Sequence, residues 1–265
     1  MNENQRKILI IVGVIAIIYA LVTIFFFRKR KDQLQDNTVS LVMTPRIKLQ
    51  YKDDFWTRYI PSSTDEESIY KVYNNNKYVG QYYMMYNKYI SGFNIFQKKN
   101  DEKVNFYTYK PGEQILGIKN NVDIDIIDFK EKRITDYDII KQILTNEEIA
   151  VDIDDLYKEE ITIDYDNDGK KERIVMFSNA YNETKTDKAF SYIAILKNNK
   201  YNIIYSDVRD ANEIYNICNP YMQAIVDLRK DKKYTLIFGC EYFSNIGTKS
   251  IIYGEKNKKY QTLLS

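Results

Sequence analysis

Asp164, Asp166 and Asp168 alternate with Tyr165 and Asn167, Gly169 follows, and Glu172 closes the run. Carboxylates thus stand at positions one, three, five and nine of a short stretch, with glycine at six. A hard divalent cation takes about 6–8 oxygen ligands at roughly 2.3–2.6 Å, and a compact loop of this spacing supplies most of them. The same residues also suit a plain turn, because Asn167, Asp168 and Gly169 tolerate positive φ and bond to their own backbone. A turn alone does not need three aspartates side by side. Clustered like charges cost free energy unless a cation offsets them.

Little else in the chain speaks of chemistry. Histidine is absent, which removes the usual general base, the commonest zinc ligand and the usual pH switch. There is no glycine-rich phosphate loop and no nucleophile elbow. No enzyme is expected. The alternative is a membrane-tethered, glycan-active hydrolase, since two carboxylates outside the acidic loop suffice for that reaction. The net charge of +2 argues for no polyanionic partner. Tyrosine-rich runs such as residues 82–89 lack the basic interleaving of a nucleic-acid groove, so cross-strand pairing is their expected use and no nucleic acid is expected.

These residues must be held by a β-rich scaffold. Tyrosine is abundant at 25 while glycine and proline number only 9 and 4, a composition that favours strands. The first element is of another kind. Residues 8–27 are apolar apart from Gly13, Tyr19 and Thr23, and such a run spans about 30 Å as a helix, the thickness of a bilayer core. It ends at Phe27-Arg28-Lys29-Arg30-Lys31 without a small-residue cleavage site, so an uncleaved single-pass anchor is expected, preceded by a tail at residues 1–7.

Orientation sets two arguments against each other. The basic flank after the anchor favours a cytoplasmic C-terminal region. A calcium loop without a bidentate glutamate at position twelve suits the millimolar calcium outside cells, and long domains translocate with less regard to flanking charge. The reading taken is a cell-membrane protein with its C-terminal region extracytoplasmic; the cytoplasm-facing version would be a metal-free adaptor. Cys218 and Cys240 could pair in an oxidising space or stand as two small buried apolar residues.

Residues 28–45 read as basic flank and linker. Residues 46–130 read as an antiparallel meander, with runs at 68–73, 78–86 and 104–109 separated by turn signals at Asn74–Lys77, Asn100-Asp101 and Pro111-Gly112. Residues 131–156 form a helical connector, with Thr135 and Asp138 as a capping pair and Ile139, Ile140, Ile143 and Leu144 on one apolar face. Residues 157–265 contain a repeat: the acidic loop between 161–164 and 172–177 returns roughly 63 positions later as Asp227–Lys233 between apolar runs. Each copy ends in a similar hairpin, 192–201 and 251–260.

Set between two apolar strands, Asp164-x-Asp166-x-Asp168-Gly169-x-x-Glu172 resembles the calcium loop of integrin-type FG-GAP and VCBS repeats, over about residues 157–205 and more weakly 220–263. The resemblance implies Asp164, Asp166, Asp168 and Glu172 as side-chain ligands, the Lys170 carbonyl as the backbone ligand, and structural Ca2+ joining two strands of a blade. Val175 at position twelve departs from an EF-hand. Arg229, Lys230 and Lys232 fall where the second copy would need acids and glycine, so that copy is expected to be structural only.

The fold expected is therefore mainly β: an N-terminal transmembrane helix, an antiparallel meander, one short connecting helix and a two-unit blade-like C-terminal region. Two units are too few to close a propeller. The expected role is binding or scaffolding in the cell envelope, with an envelope protein or glycan as partner.

Overall fold

The computed structural model describes residues 39–43, 47–52, 55–59, 68–87, 92–108, 115–119, 124–180, 186–242 and 249–264. The expected anchor at residues 8–27 lies outside them. Among the described residues no helix is long and apolar enough to cross a membrane.

The chain is mainly β, and the described residues form three antiparallel sheets. The first has eight strands in the order β3-β2-β1-β8-β4-β5-β6-β7: β1 (Val39–Met43), β2 (Ile47–Lys52), β3 (Phe55–Tyr59), β4 (Ser68–Asn74), β5 (Lys77–Asn87), β6 (Gly92–Lys99), β7 (Glu102–Val104) and β8 (Ile115–Lys119). It departs from a simple meander, because β8 returns to lie between β1 and β4. Two more expectations are corrected here. Val39–Met43, read as linker, is a strand whose Leu41 and Val42 are fully buried. The run expected at 104–109 ends as a strand at Val104.

The second sheet has the order β10-β11-β12-β13-β14, from β10 (Lys132–Arg133), β11 (Tyr157–Ile163), β12 (Glu172–Ser178), β13 (Lys188–Lys197) and β14 (Lys200–Asp210). The third has the order β18-β17-β16-β15-β9, from β9 (Asp125–Ile126), β15 (Cys218–Asp227), β16 (Thr235–Tyr242), β17 (Lys249–Lys256) and β18 (Lys259–Leu264). Each is a four-stranded meander with a two-residue strand on one edge, so the two sheets share one architecture, and each is called a repeat below. β9, assigned above to the N-terminal unit, pairs instead with β15.

The layers follow from strand alternation, since successive side chains point to opposite faces. Ile174, Met176, Ile193 and Ile195 of the second sheet meet Met222, Leu236, Phe238 and Ile251 of the third in one core. The opposite face of the second sheet, with Val175, Phe177 and Tyr192, carries helix α1 (Asp138–Asn146) through Ile139, Ile140, Ile143 and Leu144. The opposite face of the third sheet, with Ala224, Val226, Ile237 and Ile252, packs on Leu41, Leu49, Trp56, Leu116 and Ile118 of the first. The order is helix, sheet, sheet, sheet. Because both repeat sheets are covered on both faces, their inner strands read as unbroken apolar runs such as Ile174-Val175-Met176-Phe177.

Helix α1 begins at Asp138 with Tyr137 at its N-cap and no side-chain cap bond. The expected Thr135–Asp138 pair does not form the cap; Asp136 takes the Asp138 N–H at 3.1 Å one residue nearer the helix. Among the described residues, two-residue turns with positive φ at both positions close four hairpins, including Asn198-Asn199 and Asn257-Lys258 at equivalent places in the two repeats. These values match the turn twist that suits paired strands.

Candidate cation loop and its degenerate copy

The acidic loop joins β11 to β12 just beyond the Ile163–Glu172 pair. Asp164 organises it: one carboxylate oxygen accepts the Asp168 N–H at 3.1 Å and the other the Gly169 N–H at 2.9 Å. Asp168 in turn accepts the Lys170 N–H at 2.9 Å. Asn167 and Gly169 have φ of 59° and 87°, the left-handed conformation that Asn and Gly tolerate best.

Oxygens of Asp164, Asp166 and Glu172 lie within 4.8 Å of one another. Glu172 is only 1% exposed, and its Oε2 accepts the Tyr165 N–H at 3.4 Å. Asp168 lies at the rim and joins the others through a shared partner. Lys170 sends its ammonium away from the cage, to Asn198 at 3.4 Å.

The shared partner is Lys197, which the sequence reading did not single out. It stands at the end of β13, one step past the Arg173–Leu196 pair and therefore opposite Glu172. Its Nζ forms an ion pair with Asp166, reaches Asp168 at 2.8 Å and lies 3.3 Å from Glu172 Oε1. Burial pulls the Lys197 ammonium toward neutrality, but the attraction of the Asp166, Asp168 and Glu172 carboxylates outweighs that and holds it above the usual lysine range. Burial raises the Glu172 carboxyl, with Lys197 opposing. The bond from Lys197, then that from the Lys170 N–H, lowers Asp168.

The residues fit a divalent cation on one structural ground. Asp166 Oδ1 and Glu172 Oε1 are buried without a hydrogen-bond partner among the described residues, and Glu172 Oε1 has the Lys197 charge nearby without a well-aligned bond. Buried carboxylate oxygens in that condition call for positive charge.

The second loop, between β15 and β16, repeats the architecture without the cage. Asp227 accepts the Asp231 and Lys232 N–H groups at 3.3 and 2.9 Å, and Asp231 accepts the Lys233 N–H at 3.0 Å. Lys230 and Lys232 take φ of 57° and 62°, at the places of Asn167 and Gly169. Arg229 and Thr235 stand where the first loop has Asp166 and Glu172. The charges are reversed as well. Lys233 pairs with Glu255 of β17 at 2.7 Å and Arg229 with the same carboxylate at 3.3 Å, so basic groups lie on the loop and the acid on the following hairpin.

The first loop is also a contact between repeats. The Tyr165 carbonyl accepts the Tyr234 N–H at 2.7 Å and the Tyr260 hydroxyl at 2.8 Å. The Tyr165 ring packs edge-on against Tyr253 and Tyr260, with centroids 5.9 and 4.6 Å away.

Outside the loop, Glu131 and Glu159 form a second carboxyl pair. Glu131 accepts the Met222 N–H at 3.1 Å, and the charge of Glu159 acts on its carboxyl. Cys218 and Cys240 are joined in a disulfide on the face between the two repeat sheets, their Cα atoms 5.1 Å apart. No protein-family model, curated protein or solved structure matches this chain.

Proposed function

We propose that the chain is a membrane-anchored binding or scaffolding protein displayed outside the cytoplasm, with a first repeat loop that takes a divalent cation, calcium by preference. The contrast between the two loops carries this reading. Asp227 and Asp231 make the whole turn in the second copy, so Asp164 and Asp168 suffice for it in the first. Asp166 and Glu172 are surplus to the turn, and both point buried oxygens at one place. Asp164, Asp166, Asp168 and Glu172, with the Lys170 carbonyl, would hold the ion. All-oxygen ligation suits calcium better than softer metals. A bound calcium would offset the clustered charge and stiffen a hairpin that seats Tyr165 between the repeats.

The Cys218–Cys240 bridge supports the extracytoplasmic address, since structural disulfides persist in oxidising compartments. Lys197 favours a second reading, in which the loop holds its own ammonium and no metal. Calorimetric titration of the full chain in detergent with calcium separates them. Weak saturable heat, lost in Asp166→Ala/Asp168→Ala, supports the cation loop. No heat and no change in melting at millimolar calcium would leave the metal-free reading.

A further inference from the structure

We infer that Lys197 is a built-in competitor for the cation of the first loop, so that ammonium and metal exclude each other and Lys197 sets the concentration at which the loop loads. The inference rests on the cation-loop reading above and adds a residue that its motif does not contain.

Three observations lead to it. The Lys197 ammonium pairs with three of the four candidate ligand carboxylates, Asp166, Asp168 and Glu172. A metal drawing on those oxygens would lie a few ångströms from a like charge, so one must leave. Lys197 is free to do so: its side chain is 28% exposed, and a lysine's long stem readily carries its charge to water. Finally, Glu172 is almost wholly buried and its carboxylate requires a positive neighbour at all times. Lys197 provides one when metal is scarce, and the loop keeps its shape in both conditions.

The second repeat shows the same closure without exchange. There a loop cation and a hairpin acid are both side chains, Lys233 and Arg229 on Glu255, and the acids that would attract a metal are replaced by Arg229 and Thr235. Both loops are clasped to the hairpin that follows them. In the first alone, the clasp is made of groups that a free ion can replace.

The test uses the full chain in detergent, with calcium alone as the probe. Lys197→Met keeps the stem and removes the charge, and should tighten calcium binding by at least about tenfold, the change expected when one nearby like charge is removed. Lys197→Arg should stay close to wild type. Independently of any variant, calcium should speed amine labelling of Lys197 in the wild-type protein, read by mass spectrometry, while Lys233 labelling stays constant. Equal affinities in wild type and Lys197→Met, with Lys197 labelling unchanged by calcium, would overturn the inference and leave the cation loop standing. Absence of binding in both proteins, each melting cooperatively, would remove the cation loop and the inference with it. Should Lys197→Met not fold, the wild-type labelling decides alone.

Discussion

Asp164 and Asp227 hold their loops by the same pair of bonds, each accepting the backbone N–H groups four and five residues ahead. This equivalence separates two duties that the acidic motif combines. One aspartate folds the turn, and other carboxylates answer to charge.

Substitutions should divide accordingly. Asp164→Ala removes both backbone bonds and should cost about 1–3 kcal/mol even in chelator. Asp166→Asn leaves the turn intact and should abolish the calcium-dependent rise in melting temperature. Thermal melts of both variants, with calcium and with chelator, provide the check. A full calcium shift in Asp166→Asn would contradict the assignment.

The disulfide closes a 22-residue separation within the third sheet. Cross-linking a loop of that length stabilises by about 3 kcal/mol in the chain-entropy account. Cys218→Ser/Cys240→Ser should therefore unfold at lower urea, with the loss read from the midpoint. Protein extracted from membranes under alkylating conditions should carry neither thiol modified. Complete alkylation without reductant would count against the extracytoplasmic address.

Glu131 gives a pH dependence whose sign can be stated. It is exposed over much of its surface, yet its carboxyl is crowded against Glu159 and the β15 backbone. Burial, then the charge of Glu159, raises it from 4.5 to about 7. The neighbouring groups are Tyr157 on β11, Tyr221 on β15 and Glu241 on β16. A carboxyl with a raised pKa in the folded state lends stability that is complete below 4.5 and disappears as pH rises through about 7. Melting temperature should fall from pH 5 to pH 8, and Glu131→Gln should flatten the decline. An unchanged slope in that variant would place its origin elsewhere.

Two glycines should respond differently to alanine. Gly239 faces Tyr221 across the β15–β16 pair, and a Cβ there would collide with the tyrosine ring. Overpacking of this kind costs about 1–3 kcal/mol. Gly169 has φ of +87° but open space around it, and its counterpart Lys232 already carries a side chain at positive φ. Gly169→Ala should cost about 1 kcal/mol or less. Chemical denaturation of the pair ranks them, and a larger loss at Gly169 would refute the comparison.

Much of the scaffold is legible in local pattern. Apolar runs at 174–177 and 236–238, asparagine-rich turns and the spacing of Ile139, Ile140, Ile143 and Leu144 each report their element through short-range physics. The equivalent turns at Asp164 and Asp227 are legible too, since turn chemistry is local. Lys197 is not. It meets Glu172 only because β12 and β13 pair in one register, and no local signal marks that lysine among many. β1 is obscured in part for the same reason: five residues after a polar stretch form a strand between β2, its neighbour in sequence, and β8, far along the chain. The N-cap falls at Tyr137 rather than Thr135, because the helix starts later than its polar approach suggests.

Reversed polarity in the two clasps has a consequence for folding. Tandem repeats risk exchanging parts, one copy's loop docking on the other's hairpin. Here the acidic first loop would meet Glu255, and the basic second loop would meet Lys197. Both wrong pairings set Asp166 or Arg229 beside a like charge, while both right pairings set each beside an opposite one. The ion pairs thus serve as an address within a chain that contains the same shape twice.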